Sequence, residues 1–285
     1  MLSAKTVFIS VFKAVYNTVQ HDGIEHAGYL AFLGLLAVFP FLVFTFAIMG
    51  FLGEGQAGAD FIKLLLTQLP PHMVKALEPR VAEIISGPPQ GLLTVSILGA
   101  LWTSSSELEG YRTVLNRAYN VATPPAYIWR RLLSIAQTLL ISFILVFLML
   151  TLVLFPIVSE KILTVFGRHY HLDASLADQI AHFSIAVIFI VVSAAYYFLP
   201  NIKQTIHAVV PGAAMVTLLW IGAAHILSLY ISQFNQVNLI YGSLGGIIAA
   251  LLFFYVSNII FIYGAELNYL IKVALGEKIE EKTHA

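Results

Sequence analysis

The chain has 285 residues, of which 59% are hydrophobic and only 11% are charged. Soluble globular proteins have about 45–50% apolar and about 25% charged residues, so this composition excludes a water-soluble fold and predicts an integral membrane protein. Lys plus Arg and Asp plus Glu number 15 each, and this balance argues against a nucleic-acid partner. The chain has no Cys, which excludes disulfides, thiolate metal sites and a thiol nucleophile.

The first 27 residues precede the first long apolar stretch and form a separate segment. Lys13 interrupts their apolar run and no small-residue cleavage site follows, which argues against a signal peptide. Apolar residues recur at helical spacing: Val7, Phe8, Val11, Phe12, Val15 and Val19. This spacing predicts an amphipathic helix that lies on the cytoplasmic membrane surface.

Six apolar stretches have about the length that a helix needs to cross a bilayer. They are Gly28–Leu52, Gly91–Ser106, Leu132–Val158, Ile180–Leu199, Val209–Tyr230 and Ser243–Ile271. The second is short, and such a span must tilt little, thin the bilayer or continue as a helix buried in protein. The predicted fold is therefore all-α: a polytopic six-helix transmembrane bundle over residues 28–272, followed by a charged cytoplasmic tail over residues 273–285.

Residues 53–90 form a long insertion between the first two predicted spans. Two helix-like pieces, Asp60–Leu69 and Pro71–Ser86, have apolar residues on one stripe and charges on the other, and proline pairs punctuate them. They are predicted to be external amphipathic helices. Either they rest on the outer leaflet, or they form a lid or a docking surface over an external opening.

The distribution of Lys and Arg between the predicted spans indicates the orientation. Ten of these residues fall on the side that carries both termini, and five fall on the other side. Positive charge accumulates on the cytoplasmic side of membrane proteins. Both termini are therefore predicted to be cytoplasmic.

Glu266 is the principal candidate for a functional residue, because ionisable groups inside a membrane are costly. It lies in the last and most apolar predicted span, directly after Gly264 and Ala265, whose small side chains allow another helix to approach closely. The carboxylate either pairs with a neighbouring basic residue at the helix end, or it titrates and contacts a substrate. Both alternatives stay open.

Other polar residues near the ends of the predicted spans are candidates for substrate contact or coupling. Asn258 lies eight residues before Glu266 on roughly the same helix face, and Asn268 points elsewhere. The remaining candidates flank turns: Tyr197, Asn201 and Tyr241. Hydrogen bonds between helices and aromatic anchoring at the membrane interface are the structural alternatives.

A charged cluster follows the second predicted span on the cytoplasmic side: Glu107, Glu109, Arg112, Asn116 and Arg117. The two Arg side chains could form ion pairs with Glu107, Glu109 or Glu266 and so fix the short second helix. Alternatively they bind anionic lipid headgroups, because clustered Arg at this interface suits phosphate groups.

No pattern in the sequence points to a metal, a cofactor or an enzyme. His169 and His171 are close together, but no HExxH motif or carboxylate-rich set accompanies them. Walker, GxSxG and GxGxxG motifs are also absent from the sequence. We therefore expect a protein without a bound metal or cofactor and without catalytic activity.

Several motifs in order make the chain resemble the YihY/BrkB family of bacterial inner-membrane proteins over residues 27–275. They are Leu30-Ala31-Phe32, Phe39-Pro40, Trp102-Thr103-Ser104-Ser105, Leu115-Asn116-Arg117-Ala118-Tyr119, Tyr196-Tyr197-Phe198-Leu199-Pro200-Asn201, Pro211-Gly212-Ala213, Ile240-Tyr241-Gly242-Ser243-Leu244 and Gly264-Ala265-Glu266-Leu267-Asn268. The resemblance implies a six-helix membrane fold and an association with virulence. Some members have carried a ribonuclease label, but this chain lacks the metal cluster, acid–base pair and basic groove that RNA hydrolysis needs.

Two functions remain as expectations. The first is a transporter or translocase in the bacterial inner membrane that moves a phospholipid, a lipid-linked substrate or another amphipathic molecule for the cell envelope. The second is a non-catalytic anchor that binds a protein partner in envelope lipid-trafficking machinery. In both cases the lipid bilayer is a partner and nucleic acid is not.

Overall fold

The computed structural model describes residues 4–52, 74, 79, 90–121, 126–144, 175–233 and 244–282. Within these ranges the chain forms seven α-helices and no strand. They are α1 (Ala4–Gln20), α2 (Gly23–Leu52), α3 (Gln90–Ala118), α4 (residues 127–144), α5 (Ser175–Phe198), α6 (Ile206–Gln233) and α7 (Leu244–Ala274). An isolated antiparallel bridge joins Ile202 to Glu281. The predicted all-α class is confirmed for this part of the chain.

Among the described residues, two helices are long and apolar enough to cross a bilayer. The stretches are Ile206–Leu227 in α6 and Gly245–Ala274 in α7, whereas Gly23–Val38 in α2 and Ser184–Phe198 in α5 are shorter. The six-helix bundle is therefore supported at two of its spans and stays a prediction at the others. The external insertion at residues 53–90 lies outside the described residues, apart from residues 74, 79 and 90.

The chain divides into two compact units. One comprises Met1–Leu35, Glu109–Trp129 and Ala177–Ala285, and the other comprises Leu36–Leu108 and Arg130–Leu176. In the first unit, α6 and α1 both pack against α7. Most of the polar residues singled out from the sequence belong to this first unit.

The crossing of α6 and α7 depends on two glycines. A Cβ atom on Gly264 would overlap the side chains of Val216 and Tyr196, and a Cβ atom on Gly212 would overlap the Gly264 carbonyl oxygen. Without a side chain at these positions the two backbones approach closely, as small residues allow in membrane helices. The close approach predicted at Gly264 is confirmed.

The second unit shows why the short second predicted span continues as a helix through a polar segment. Hydroxyl groups there donate to carbonyl oxygens one turn back: Thr103 to Gly99 at 3.0 Å, Ser104 to Ala100 at 2.8 Å, and Ser106 to Trp102 at 3.0 Å. Such bonds satisfy the hydroxyls inside the helix itself. Helix α3 therefore runs without a break to Ala118.

An arginine connects α3 to α4 within the second unit. Arg131 donates a hydrogen bond of 2.6 Å from its guanidinium group to the Trp102 carbonyl oxygen. Its Cζ atom also lies 3.9 Å from the centroid of the Trp102 ring, within the range of a cation–π interaction. Arg131 therefore joins α3 and α4 through both its charge and its hydrogen bond.

Candidate functional site

The polar candidates of the last helix are buried inside the first unit. Asn258, Glu266, Asn268 and Lys272 expose at most 2% of their surface. Buried polar groups are nearly always hydrogen-bonded, and each of these four contacts a different part of the unit. The candidate site is therefore defined by what surrounds this half of α7.

Glu266 binds the amino-terminal helix. Its Oε1 atom lies 2.7 Å from Nδ1 of His21, and its Oε2 atom accepts a hydrogen bond of 3.4 Å from Nδ2 of Asn17. Asn17 and His21 are four residues apart, so the helical period places both on one face. The Glu266 side chain is fully buried, whereas the His21 side chain is 33% exposed.

These two partners were missed in the sequence, which suggested a basic residue near Glu266. One pattern in the sequence could have predicted them: one face of α1 carries small and polar residues, as a face that packs against another helix does. Ser10, Ala14 and Thr18 are buried, and they follow one another at intervals of four residues, as one face of a helix requires. Asn17 and His21 continue that face toward Glu266.

Two asparagines join α7 to its neighbours. Oδ1 of Asn258 accepts a hydrogen bond of 2.7 Å from the Tyr111 hydroxyl group, and Oδ1 of Asn268 accepts one of 2.7 Å from the Gly212 backbone amide. Asn258 thus contacts α3 and Asn268 contacts α6. The two asparagines therefore face different neighbours, although they lie on the same helix.

The turn after α5 is held by residues of the predicted charged cluster. Asn116 accepts a hydrogen bond of 2.7 Å from the Asn201 backbone amide, and Arg112 donates one of 3.5 Å to the Leu199 carbonyl oxygen. Arg112 also lies 3.5 Å from a carboxylate oxygen of Glu109. Of the two alternatives for Arg112, this contact is the one expected for pairing with a nearby glutamate, and the binding of headgroups stays a prediction.

Arg117 has a partner that neither alternative from the sequence named. It forms an ion pair with Asp22 in the turn between α1 and α2, and both side chains are about half exposed. The turn brings Asp22 close to the end of α3, although the two residues are far apart in sequence. The binding of lipid headgroups by Arg117 stays a prediction. Glu107 is partly buried and belongs to the second unit.

The carboxyl-terminal tail packs along the same turn. The Lys203 amide donates to the Glu280 carbonyl oxygen at 2.8 Å, and the Lys282 amide donates to the Asn201 carbonyl oxygen at 3.1 Å. The Lys282 ammonium group donates to the Pro200 carbonyl oxygen at 3.0 Å. Burial, with the nearby charge of Arg112, lowers the pKa of Lys282. The charged tail is thus docked on the protein at least as far as Lys282.

The remaining two sequence candidates do not join this arrangement. Tyr197 is partly buried, and its ring packs edge-on against Phe198 with centroids 4.9 Å apart. Tyr241 lies outside the described residues. Four of the six substrate or coupling candidates are therefore buried and hydrogen-bonded to other elements of the first unit: Asn201, Asn258, Glu266 and Asn268.

The two arginines differ in burial, and this difference gives a testable prediction. Arg112 exposes 4% of its surface and binds the turn after α5, so Arg112→Ala should lower the free energy of unfolding by about 2–3 kcal/mol. Arg117→Ala should cost less than about 1 kcal/mol, as exposed ion pairs do. Thermal unfolding of both purified variants in one detergent measures the difference. Equal losses would contradict the structural role of Arg112.

The interactions seen at this site are hydrogen bonds. Among the described residues, no group of three or more His, Asp or Glu side chains could hold a metal ion. The carboxylate of Glu266 and the imidazole of His21 are 2.7 Å apart, which is the length of a good hydrogen bond. The pair therefore joins a buried carboxylate to a side chain that is partly exposed.

The apolar helices, with candidate membrane spans in α6 and α7 and with buried polar residues between them, are those of a helical membrane protein. A family model described as virulence factor BrkB matches residues 14–285. The ribonuclease-like protein YfkH of Bacillus subtilis (strain 168) is 32% identical over 259 residues, which cover 88% of this chain and 90% of that protein. A UPF0761 membrane protein of Pseudoalteromonas atlantica is 25% identical over 98% of this chain and 91% of that protein. No solved structure matches.

The chain therefore belongs to the BrkB family of membrane proteins, as the sequence motifs suggested. The word "ribonuclease" in the name of YfkH describes that relative alone.

Proposed function

We propose that this protein is a transporter or translocase of the bacterial inner membrane that moves a lipid or another amphipathic molecule for the cell envelope. The observation that carries the proposal is the Glu266–His21 pair. Glu266 is fully buried within the apolar stretch Gly245–Ala274, and it contacts an imidazole that is one-third exposed. Carboxylates at membrane depth commonly mark proton or substrate pathways. In this proposal the pair couples movement to protonation.

We propose the orientation that follows from the positive residues, with both termini in the cytoplasm. The part of the tail up to Lys282 and the turn after α5 then face the cytoplasm together, since they are hydrogen-bonded to each other. Reporter fusions at Glu277 and Glu54 test this arrangement. They should give cytoplasmic and external signals, and the same signal at both points would refute it.

Reconstitution of the purified full-length chain tests the transport proposal. Vesicles of phosphatidylcholine and phosphatidylglycerol would contain a fluorescent phospholipid in both leaflets, and dithionite would bleach the label that reaches the outer leaflet. We expect nearly complete bleaching with protein and bleaching of the outer leaflet alone without it. A proton gradient across the vesicles should change the rate of bleaching.

The matched variants make the assay specific. Glu266→Gln keeps the size of the side chain and removes its charge, and it should abolish movement while the protein stays folded. Arg117→Ala changes an exposed ion pair of the same unit and should move lipid at the wild-type rate. Bleaching of wild-type vesicles at the level of empty vesicles, with and without a proton gradient, would refute the proposal for phospholipids.

A second candidate is a non-catalytic anchor for an envelope protein partner. One observation favours it: Asn258, Glu266 and Asn268 each have an intramolecular hydrogen-bond partner, as structural polar groups do. An anchor should co-purify with one partner in a fixed ratio from native membranes. It should also keep that partner when Glu266 is replaced by Gln, whereas a transporter loses its activity.

A further inference from the structure

The amino-terminal helix α1 has three different faces. Successive residues of an α-helix are rotated by about 100°, which groups the residues of α1 by direction. One face packs on the protein and contains Ser10, Ala14 and Thr18, which are all buried. A second face carries the exposed polar residues Lys13 and Gln20. The third face is apolar and exposed.

The apolar face contains Phe8, Phe12, Val15 and Val19. Each of these residues exposes more than half of its surface, from 51% for Val19 to 64% for Phe8. The rings of Phe8 and Phe12 pack edge-on with centroids 4.8 Å apart, so the face is a continuous apolar strip. We call these four residues the apolar stripe of α1. A stripe of this size in water would be unfavourable, so something other than water covers it.

The protein-facing side of α1 shows where the helix lies. Ala14 packs among Tyr263, Leu267, Leu270 and Ile271 of α7. All four belong to the stretch Gly245–Ala274, which is long and apolar enough to span a bilayer. Helix α1 therefore lies beside the carboxyl-terminal end of a span, where Lys272 and then Glu277 mark the approach to the membrane–water boundary.

Chain connectivity places the stripe next to a second apolar helix. Only His21 and Asp22 separate α1 from α2, and α2 begins with the apolar stretch Gly23–Val38. Tyr29, Phe32 and Leu36 of α2 expose about half of their surfaces, and their spacing puts them on one face. The helix that follows α1 therefore also carries exposed apolar side chains.

From these placements we infer that the apolar stripe of α1 binds the lipid bilayer at the membrane–water boundary, while the opposite face of α1 binds α7. The helix lies along the interface, with Phe8, Phe12, Val15 and Val19 among the acyl chains and with Lys13 and Gln20 in water. Ile9 and Tyr16 lie between the two directions, and Tyr16 has the amphipathic ring that membrane interfaces favour.

The composition of α1 also indicates which force holds it to lipid. Helix α1 contains two lysines, Lys5 and Lys13, and no acidic residue. Interfacial helices bind through buried apolar area together with attraction to anionic headgroups. The four residues of the stripe itself are uncharged, so apolar burial dominates the binding of this face. The stripe should therefore bind zwitterionic and anionic bilayers alike.

The inference stands apart from the proposed transport activity, but it involves the same helix. Asn17 and His21 of α1 bind Glu266. A helix fixed between lipid on one side and α7 on the other keeps these two side chains in position. The bilayer thereby supports the hydrogen bonds of the buried carboxylate.

Single cysteines provide the test, because the natural chain has none. The variants Phe12→Cys and Val15→Cys place a nitroxide spin label on the stripe, and Lys13→Cys and Gln20→Cys are matched controls on the polar face of the same helix. The full chain is reconstituted in phosphatidylcholine vesicles. Electron paramagnetic resonance then measures how accessible each label is to oxygen, which concentrates in lipid, and to a nickel chelate, which stays in water.

We expect the ratio of oxygen to nickel accessibility to be severalfold higher at positions 12 and 15 than at positions 13 and 20. Adding phosphatidylglycerol should change this difference little. High nickel accessibility at positions 12 and 15 would place the stripe in water and overturn the inference. Low accessibility to both reagents there would show that protein, for example a second copy of this chain, covers the stripe, and it would equally overturn it.

Discussion

Replacing Gly264 by alanine is expected to lower the free energy of unfolding by about 3 kcal/mol, because an added methyl group has no space there. It would overlap the Val216 side chain and the Tyr196 hydroxyl group, and it would lie 3.1 Å from the Gly212 carbonyl oxygen. Neither side chain can move away easily, because Val216 is β-branched and stiff at χ1 and the Tyr196 hydroxyl group donates a hydrogen bond to the Phe261 carbonyl oxygen. Helices α6 and α7 would have to separate, and the hydrogen bond from the Gly212 amide to Asn268 would lengthen.

The matched control is Gly222→Ala in α6. A Cβ atom on Gly222 would meet no other atom within 4 Å, so this substitution should leave stability unchanged or raise it by about 0.5–1 kcal/mol, as Gly-to-Ala changes in helices do. Thermal unfolding of both variants in the same detergent measures the contrast. If Gly264→Ala unfolds at or above the temperature of Gly222→Ala, the close packing of α6 on α7 is wrong.

Replacing Glu266 by alanine is expected to lower the free energy of unfolding by about 2–3 kcal/mol. Hydrogen bonds to charged groups contribute about 1.5–3 kcal/mol, and the change removes the shared acceptor of Asn17 and His21. The loss stays below that of a fully buried ion pair, because the partly exposed His21 ring can turn toward water. Glu266→Gln should cost less, about 1 kcal/mol, since its amide oxygen still accepts one hydrogen bond.

A double-mutant cycle between Glu266 and His21 isolates the interaction. The losses from Glu266→Ala and His21→Ala should not add, and the coupling energy should be about 1–2 kcal/mol. The exposed pair of Arg117 and Asp22 serves as the comparison, with an expected coupling below about 1 kcal/mol. Strictly additive losses at Glu266 and His21 would show that the 2.7 Å contact contributes nothing to stability.

The sequence by itself predicted the helices of this protein and the polar residue that is energetically unfavourable inside an apolar segment. Local helical periods predicted helices in α1 and in the apolar stretches of α2, α5, α6 and α7. The rarity of charge inside apolar segments identified Glu266, and the small residues before it predicted close helix packing. These are properties of single segments, and a segment carries its own period and its own charge wherever it packs.

The tertiary structure alone decided which residues meet. Glu266 and His21 are 245 residues apart, and Arg117 pairs with Asp22 rather than with a glutamate near it in the chain. Apolar helices offer one another similar surfaces, so periodicity does not say which helix binds which face. That choice depends on fine packing, such as the contact of Gly212 with Gly264 and of Ala14 with α7. The sequence therefore determined the class of the protein and its candidate residues, and only the docking of α1 and α6 on α7 decided their partners.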